Sequence, residues 1–359
     1  MLKAIDLFSG SGGTTAGLKK SGIEVVGAVE IDAQAAETYR FNNPEISLMV
    51  DDIRNITTND ICKKFKIENE DTILLVACPP CQGFSSLRKG GEDDFRNELV
   101  FEYERIIKEL RPEFLLMENV AGMSRGKGKK IFKKFTDDIS KEYEIIYDIL
   151  NAADYGVPQI RRRLVLHGIR KDIKKNNLKI ELPQPTHSKY GDVKGTSKWV
   201  NASVILGLPS LKAGEEYKSN GIYNHFSNGI SDLNIKRMIY IRNHGGSISS
   251  LPSSLQLNSH KNFSGYGDVY GILDMNKPSN TITGGCLSYT KGRFGHPKDN
   301  RALSAREAAR LQSFDDDYVF KGSHASIAQQ IGNAVPVLLA RASGLYFLNL
   351  YTSVVRNEK

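Results

Sequence analysis

A cysteine stands behind two prolines in Pro-Pro-Cys-Gln-Gly-Phe-Ser at residues 79–85. The prolines stiffen the chain and withdraw two backbone donors just before Cys81, so its thiol is held at the end of the apolar run 72–78. A thiolate is a strong nucleophile, but a free thiol of pKa ~8.5 is mostly protonated at neutral pH and needs activation by the site or the substrate. Cys78 and Cys81 also make a C-x-x-C, which opens two other readings. A structural zinc site asks for a second ligand pair; Cys62 and Cys286 stand alone and no histidine pair has finger spacing, so no metal is expected. A redox pair asks for a helix that opens at the motif, whereas Gly83, Gly90 and Gly91 suggest a loop. Cys78 reads as a buried strand residue, and the reactive thiol, if there is one, is Cys81.

Two further groups have the chemistry to work beside such a thiol. Glu118 lies in Glu-Asn-Val at the end of the apolar run 114–120, where a carboxylate is costly without a partner or a task. Gln-Ile-Arg-Arg-Arg at 159–163 sets Arg161 and Arg163 on one face of an extended segment. Guanidinium forks suit carboxylates and carbonyls, so the two arginines can hold Glu118 and a ligand carbonyl together. Taken singly, each of these residues reads as half of a structural ion pair.

A glycine turn, Asp-Leu-Phe-Ser-Gly-Ser-Gly-Gly at 6–13, closes the first apolar run. Gly10 and Gly12 let the backbone approach a ligand, and a helix N-terminus follows. A dinucleotide fingerprint places a third glycine where Thr15 stands, so NAD is not supported. Glu30 ends the next run, 20 residues after Gly10, where an acid accepts from ribose hydroxyls. Asp52 follows the third run and has the chemistry to accept from an adenine amino group, and Phe8 offers the base an apolar face. The glycines alone describe an ordinary turn; with two acids at successive strand ends they point to an adenosine ligand.

The elements that position these groups alternate. Strands are predicted over 2–8, 24–31, 46–50, 72–78, 114–120, 144–150 and 164–169, with helices through Lys20 and over 32–43, 98–110 and 129–143. Asp32 is the expected N-cap of the second helix. Strands alternating with helices give a parallel, doubly wound sheet, whose ligands sit at the carboxyl ends of the strands. After residue 169 a basic stretch leads into a Pro-, Ser-, Asn- and Gly-rich segment of poor periodicity, from about 184 to 290. Helical order returns at 304–312, where Ser304 and Glu307 have capping-box spacing, and an apolar helix over 336–350 is expected to pack on the first domain.

The chain has 359 residues, enough for roughly two domains, with a net charge of +8. That charge and a pI near 9.1 suit a polyanionic partner without identifying one. No apolar run approaches the ~20 residues that cross a bilayer, and Asp6 interrupts any secretory signal, so no membrane contact is expected. Four cysteines make no disulfide framework, which points to a reducing cytoplasm.

In this order the segments resemble the bacterial C5-cytosine-specific DNA methyltransferases. Arg-Glu-Ala-Ala-Arg-Leu-Gln at 306–312 and Gln-Ile-Gly-Asn-Ala-Val at 330–335 extend the likeness, which covers nearly all the chain except about 184–290. The resemblance implies an α/β fold, a Rossmann-like, mostly parallel sheet, with a smaller irregular domain for target recognition. The catalytic and cofactor-binding domain would be 1–182 completed by 325–359, and the recognition domain 183–324. Cys81 would add to C6 of a flipped-out cytosine, Glu118 would contact and protonate N3, Arg163 would bind near O2, and Arg161 would orient Glu118. Phe8, Gly10, Gly12, Glu30, Ile31, Asp52, Ile53, Pro80, Leu99, Asn333 and Val335 would line a site for S-adenosylmethionine. The loop from Gln82 to about Gly91 would close over the base, and Arg242, Lys261 and Arg293 would be candidate readers of the duplex. The chain departs from the family at Asp51-Asp52-Ile53, where Gly-Asp-Ile is common.

The partner implied is double-stranded DNA, with a restriction endonuclease of the same target as a second, and the protein is expected to be a monomer of the bacterial cytoplasm and nucleoid. Three alternatives stay open. A tRNA cytosine-5 methyltransferase shares the chemistry, though the Cys-Phe-Thr of that branch is absent. A catalytically silent DNA-binding protein shares the fold, and a thiol redox protein would use Cys78 with Cys81.

Overall fold

The computed structural model describes residues 1–80, 98–174, 179–218, 221–245, 248–257 and 268–355. In chain order the principal elements are β1 (Leu2–Leu7), α1 (Gly13–Ser21), β2 (Glu24–Glu30), α2 (Ala33–Asn42), β3 (Ser47–Val50), α3 (Thr58–Phe65), β4 (Thr72–Ala77), α4 (Leu99–Leu110), β5 (Phe114–Val120), α5 (Lys129–Ile139), β6 (Tyr143–Asn151) and β7 (Arg162–Arg170). Then come β8 (His187–Ser188), β9 (Ser197–Lys198), α6 (Asp232–Asn243), α7 (Ala305–Leu311), α8 (His324–Asn333) and α9 (Val337–Val355). They fall into two compact units: Met1–Tyr155, Arg162–Thr186 and Val335–Lys359 form unit 1, and Gly156–Arg161 with His187–Ala334 form unit 2. Residues 156–161 and α8 thus lie in unit 2, whereas the sequence reading assigned them to the first domain.

Unit 1 is built on a seven-stranded sheet of order β3-β2-β1-β4-β5-β7-β6. Its inner strands are continuous apolar runs because both faces are covered. Along β4, Ile73, Leu75 and Ala77 enter one core with Phe65, Tyr103 and Phe135, while Leu74 and Val76 enter the other with Leu18, Tyr39 and Phe347. Period-two alternation therefore sends one strand into two cores, the first under α3 to α5 and the second under α1, α2 and α9. The long α9 returns to this unit and lies against α1, where a Cβ on Gly17 would come within 2.5 Å of Ala340 Cβ and of Val337 O. No single helix among the described residues is long and apolar enough to cross a membrane.

The sheet is mostly parallel, as expected; β7 runs antiparallel to both β5 and β6 and puts Val165 opposite Glu118 and Arg163 opposite Val120. One detail differs from the expectation. Helix α5 stops at Ile139 rather than 143: Tyr143 opens β6 and donates its hydroxyl to Pro112 O at 2.8 Å.

Unit 2 has little regular ladder; β8 and β9 pair over two residues each. A small core of Met238, Ile241, Leu251, Tyr270, Ile272 and Tyr289 holds part of it. Buried arginines hold much of the rest. Arg301 forks onto Glu307 with two bonds of 2.8 Å, and Arg306 donates to the carbonyls of Tyr223 and Asp315 at 2.8 Å each. Such charge-assisted bonds satisfy loop carbonyls that have no sheet partner. The Ser304–Glu307 capping box closes the start of α7 as its spacing predicts.

Candidate active site

Strand β4 delivers Cys78, Pro79 and Pro80 to the carboxyl end of the sheet, and β5 beside it delivers Glu118 and Asn119 to the same end. Buried Asn119 donates its side-chain amide to Pro79 O at 2.9 Å, fastening the start of the cysteine loop to the glutamate motif. Arg163 reaches back from β7 and sets its Nε 3.0 Å from Glu118 Oε1, with both side chains less than 15% exposed (14% and 13%). Burial lowers the pKa of the Arg163 guanidinium, and the Glu118 carboxylate opposes that shift. The pair is a desolvated acid held by a fixed cation, which can contact a ring nitrogen and a ring carbonyl side by side. Cys81 and the loop through Gly91 lie outside the described residues.

Cys78 does not share that role. Burial pushes its thiol far above the ordinary range, with the nearby Glu118 and Asp6 carboxylates adding to the rise, and its Sγ lies 3.6 Å from Thr14 Oγ1. A thiol so held stays protonated, which argues against redox pairing. Cys78, Thr14, Glu118 and Val335 border one cavity of about 10 Å³, room for roughly one water.

The glycine turn leaves open space at its rim. Phe8 and Gly10 take positive φ of 58° and 55°, and a Cβ on Gly10 would meet nothing within 4 Å. Gly12, at φ 87°, caps α1. Glu30 ends β2 almost buried and accepts from Gly10 N at 2.7 Å with one oxygen and from Asp32 N at 2.8 Å with the other. Burial raises its pKa and those two N–H groups oppose the rise. Each oxygen keeps a lone pair for a hydroxyl. Ile31 beside it is 63% exposed, an apolar surface with no internal reason to face water. Asp52 accepts from Arg54 N and Nε at 3.0 and 2.9 Å, so any further donor must share its oxygens with Arg54, the chief cause of its lowered pKa. The extra acid Asp51 has a local use: its Oδ1 accepts from Asp52 N and from Asn55 Nδ2. Ile53 is buried behind the turn, and Leu99 packs on the same core from the start of α4.

Beneath the turn lies a network the sequence reading missed. Asp6 is fully buried and accepts from Thr15 Oγ1 at 2.7 Å, and that hydroxyl lies 2.9 Å from Tyr39 OH. Burial lifts the Asp6 carboxyl to about 7, against the pull of Thr15. The available signal was Thr15 itself, standing where a dinucleotide turn wants glycine: its hydroxyl is what satisfies Asp6 Oδ2.

In unit 2, Gln159 and Arg161 are wholly buried. Arg161 donates to Ile282 O, Gly332 O and Ala334 O at 2.7, 2.9 and 3.1 Å, bracketing Asn333, which is exposed at the end of α8. Gln159 accepts from Ile282 N and donates to Gln312 Oε1, both at 2.8 Å. These bonds give the first half of the Gln-x-Arg-x-Arg motif a duty in unit 2 that spacing did not reveal. Two candidate readers are also engaged inside their own unit: Arg242 donates to the carbonyls of His296 and Asp299, and Arg293 pairs with Asp268 at 2.7 Å. Lys261 lies outside the described residues. No group of three or more metal-ligating side chains occurs among the described residues.

Comparison with known proteins bears on this geometry. The model of the C-5 cytosine-specific DNA methylase family matches residues 2–345. The type II methyltransferase M1.HphI of Haemophilus parahaemolyticus is 35% identical over 358 residues, covering 98% of this chain and 88% of its own. The type II methylase M.HgiDII of Herpetosiphon aurantiacus is 32% identical over 344 residues, 94% of this chain and 92% of its own. Among solved structures, a chain described as a DNA modification methyltransferase from an Escherichia coli prophage superposes with a TM-score of 0.74 at 26% identity, over 98% of this chain and all of that one. The protein therefore belongs to the C-5 cytosine-specific DNA methylases, S-adenosylmethionine-dependent enzymes that transfer a methyl group to carbon 5 of cytosine in DNA.

Proposed function

We propose that the thiolate of Cys81 attacks C6 of a cytosine swung out of the duplex, with Glu118 and Arg163 holding the base. The observation that carries this reading is the fastening of Pro79 by Asn119, which ties the loop of the nucleophile to the strand end bearing Glu118. As the S–C6 bond forms, the ring electron pair moves toward N3, and Glu118, which takes up a proton from solvent as the base docks, supplies it there. Arg163 accommodates the charge growing on O2. S-adenosylmethionine, when bound, supplies the methyl group that C5 takes up. A solvent base then takes the C5 proton, the electron pair left behind re-forms the C5–C6 double bond and expels the Cys81 thiolate, and N3 returns its proton to Glu118. A stacked base exposes neither C5 nor C6 to this attack, so extrusion, costing a few kcal/mol, is required.

The residues at the glycine turn fit an adenosine cofactor. Glu30 has lone pairs for the ribose hydroxyls, the open space at Gly10 admits a close ligand, Ile31 and Phe8 offer apolar surface to the base, and Asp52 is an acceptor it shares with Arg54. Gly12, Ile53, Pro80, Leu99, Asn333 and Val335 complete the proposed lining. Arg161, in this reading, serves the active site by holding the segment that carries Asn333, besides orienting Glu118.

Unit 2 is the proposed target-recognition domain. It holds 18 Lys and Arg against 11 Asp and Glu, so nearly all the chain's excess positive charge falls there. That balance suits a double-stranded DNA partner. We propose that the protein acts as a monomer in the bacterial cytoplasm and nucleoid, beside a restriction endonuclease of the same target; the type II names of the relatives support the endonuclease partner. The test is Cys81→Ser: methyl transfer to duplex DNA should vanish while DNA affinity stays within a few-fold of the parent. Undiminished transfer by that variant removes the covalent mechanism.

A further inference from the structure

From the end of β8 through β9, residues 189–198 form a closed surface loop within unit 2. Ser188 is its hub. The Ser188 carbonyl accepts from Trp199 N at 2.9 Å, and its hydroxyl accepts from Gly191 N at 3.0 Å, donates to Asp192 Oδ1 at 3.3 Å and lies 2.9 Å from Thr196 Oγ1. Gly191 and Gly195, at φ 71° and 81°, turn the chain. A loop so tied is ordered by its own hydrogen bonds rather than by a core.

What this order presents is unusual. Tyr190 is 66% exposed and Val193 57% exposed, among the most exposed large apolar side chains described. They stand among three exposed lysines, Lys189, Lys194 and Lys198, and Lys189 Nζ lies 4.8 Å from the Tyr190 ring centroid. The one acid of the loop, Asp192, is engaged with Ser188. Solvent alone gives no reason to order apolar side chains between cations. A polyanion with an apolar interior does: phosphates answer the lysines, while sugars and base edges answer the ring. Because the loop is already ordered, little entropy is lost when it docks.

We propose that this loop is a contact surface for duplex DNA that contains none of the proposed catalytic groups, with Lys189, Lys194 and Lys198 on backbone phosphates and Tyr190 with Val193 against a groove wall. The proposal rests on DNA being the substrate and adds the partner surface. The experiment measures equilibrium binding of the full chain to a duplex that carries its target, from 50 to 200 mM salt. Three proteins are compared: wild type, the triple Lys189→Gln, Lys194→Gln, Lys198→Gln variant, and a charge-matched Lys63→Gln, Lys64→Gln, Lys66→Gln control on the surface of unit 1.

Each lost phosphate contact should flatten the slope of log K against log[salt] by ~0.9, so about 2.7 for three. The ratio of affinities across that fourfold salt range then shrinks by about 40-fold, while the control keeps the wild-type slope. Tyr190→Ala should weaken binding about fivefold or more at every salt concentration with no change of slope, because it removes packing and not charge. An unchanged slope in the loop triple variant overturns the proposal, as does a loss that the control shares. If that triple substitution instead shifts sedimentation of the free protein and leaves the slope alone, the loop is a contact between copies and the proposal fails. A wild type without salt-dependent duplex binding sinks the DNA reading itself, which is a different result.

Discussion

Replacing Glu118 by glutamine changes one group and two energies. The side chain keeps its shape and one acceptor oxygen, but loses its charge and its ability to give a proton to a ring nitrogen. In the folded protein the lost charge faced Arg163 Nε at 3.0 Å, with both side chains largely withdrawn from water. Leaving a buried cation uncompensated costs ~3–5 kcal/mol when the partner vanishes outright. With the amide dipole still beside the guanidinium, about 2 kcal/mol is the expected loss, a fall in Tm of roughly 4–8 °C for a unit of this size.

The chemical cost is larger. Proton transfer by a positioned acid contributes ~10²- to 10⁴-fold, or about 2.7–5.5 kcal/mol of barrier. The rate should therefore fall at least a hundredfold at a temperature where the variant is still folded. Single-turnover transfer of tritiated methyl groups, with saturating duplex and methyl donor, separates this from weaker binding, and a thermal melt in the same buffer reports the stability. A variant destabilised as expected, yet transferring within fivefold of wild type, would make the Glu118–Arg163 pair a structural ion pair and refute the assigned proton transfer.

Cys78→Ala should keep methyl transfer within a few-fold of wild type, since its thiol is held protonated; loss as complete as that of Cys81→Ser would restore the redox reading. His167 gives a pH prediction. Its ring is buried, lies 2.9 Å from Glu181 O and 3.1 Å from Ser343 Oγ, and burial lowers its pKa to about 3. The unfolded chain takes up this proton below about 6.5 and the folded one does not, so the contribution is full above that pH and is lost as pH falls from there toward 3, by ~1.4 kcal/mol per unit. Asp6, held neutral up to about 7, works in the opposite direction over part of the same range. The quantity to compare is therefore the difference between wild type and His167→Leu in urea denaturation at pH 7.5 and 5, expected to be about 2 kcal/mol. Equal pH dependence in both proteins would contradict the assignment.

Much of unit 1 was legible because burial on both faces writes itself as apolar runs: the reading of β4, β5 and α4 needed little correction. Asp32 and the Ser304–Glu307 pair announced their helices through backbone capping chemistry. Helix α3 escaped because its box closes on Asp60, a shorter acid than the usual glutamate, and α6 because it buries Met238 and Ile241 while exposing Leu233 and Ile239. The direction of β7 leaves no trace in side-chain pattern, since antiparallel and parallel strands buried on both faces look alike. Unit 2 was opaque for a related reason: arginines such as Arg301 and Arg306 tie its loops, and a side chain bonded to a distant carbonyl has no period. The proposed catalytic groups could be picked out by chemical type at strand ends. The duty of Arg161 could not, because the chain passes from one unit to the other between residues 161 and 162.

The central claim is a transient bond between one sulfur and one pyrimidine carbon. The direct measurement incubates the protein and methyl donor with a duplex carrying 5-fluorocytosine at the target, since fluorine cannot leave as the C5 proton does, and then maps the product by mass spectrometry. The account predicts a denaturation-resistant protein–DNA adduct whose cross-linked peptide carries the nucleotide on Cys81. An active preparation that forms no adduct, or an adduct on Cys78, would contradict it.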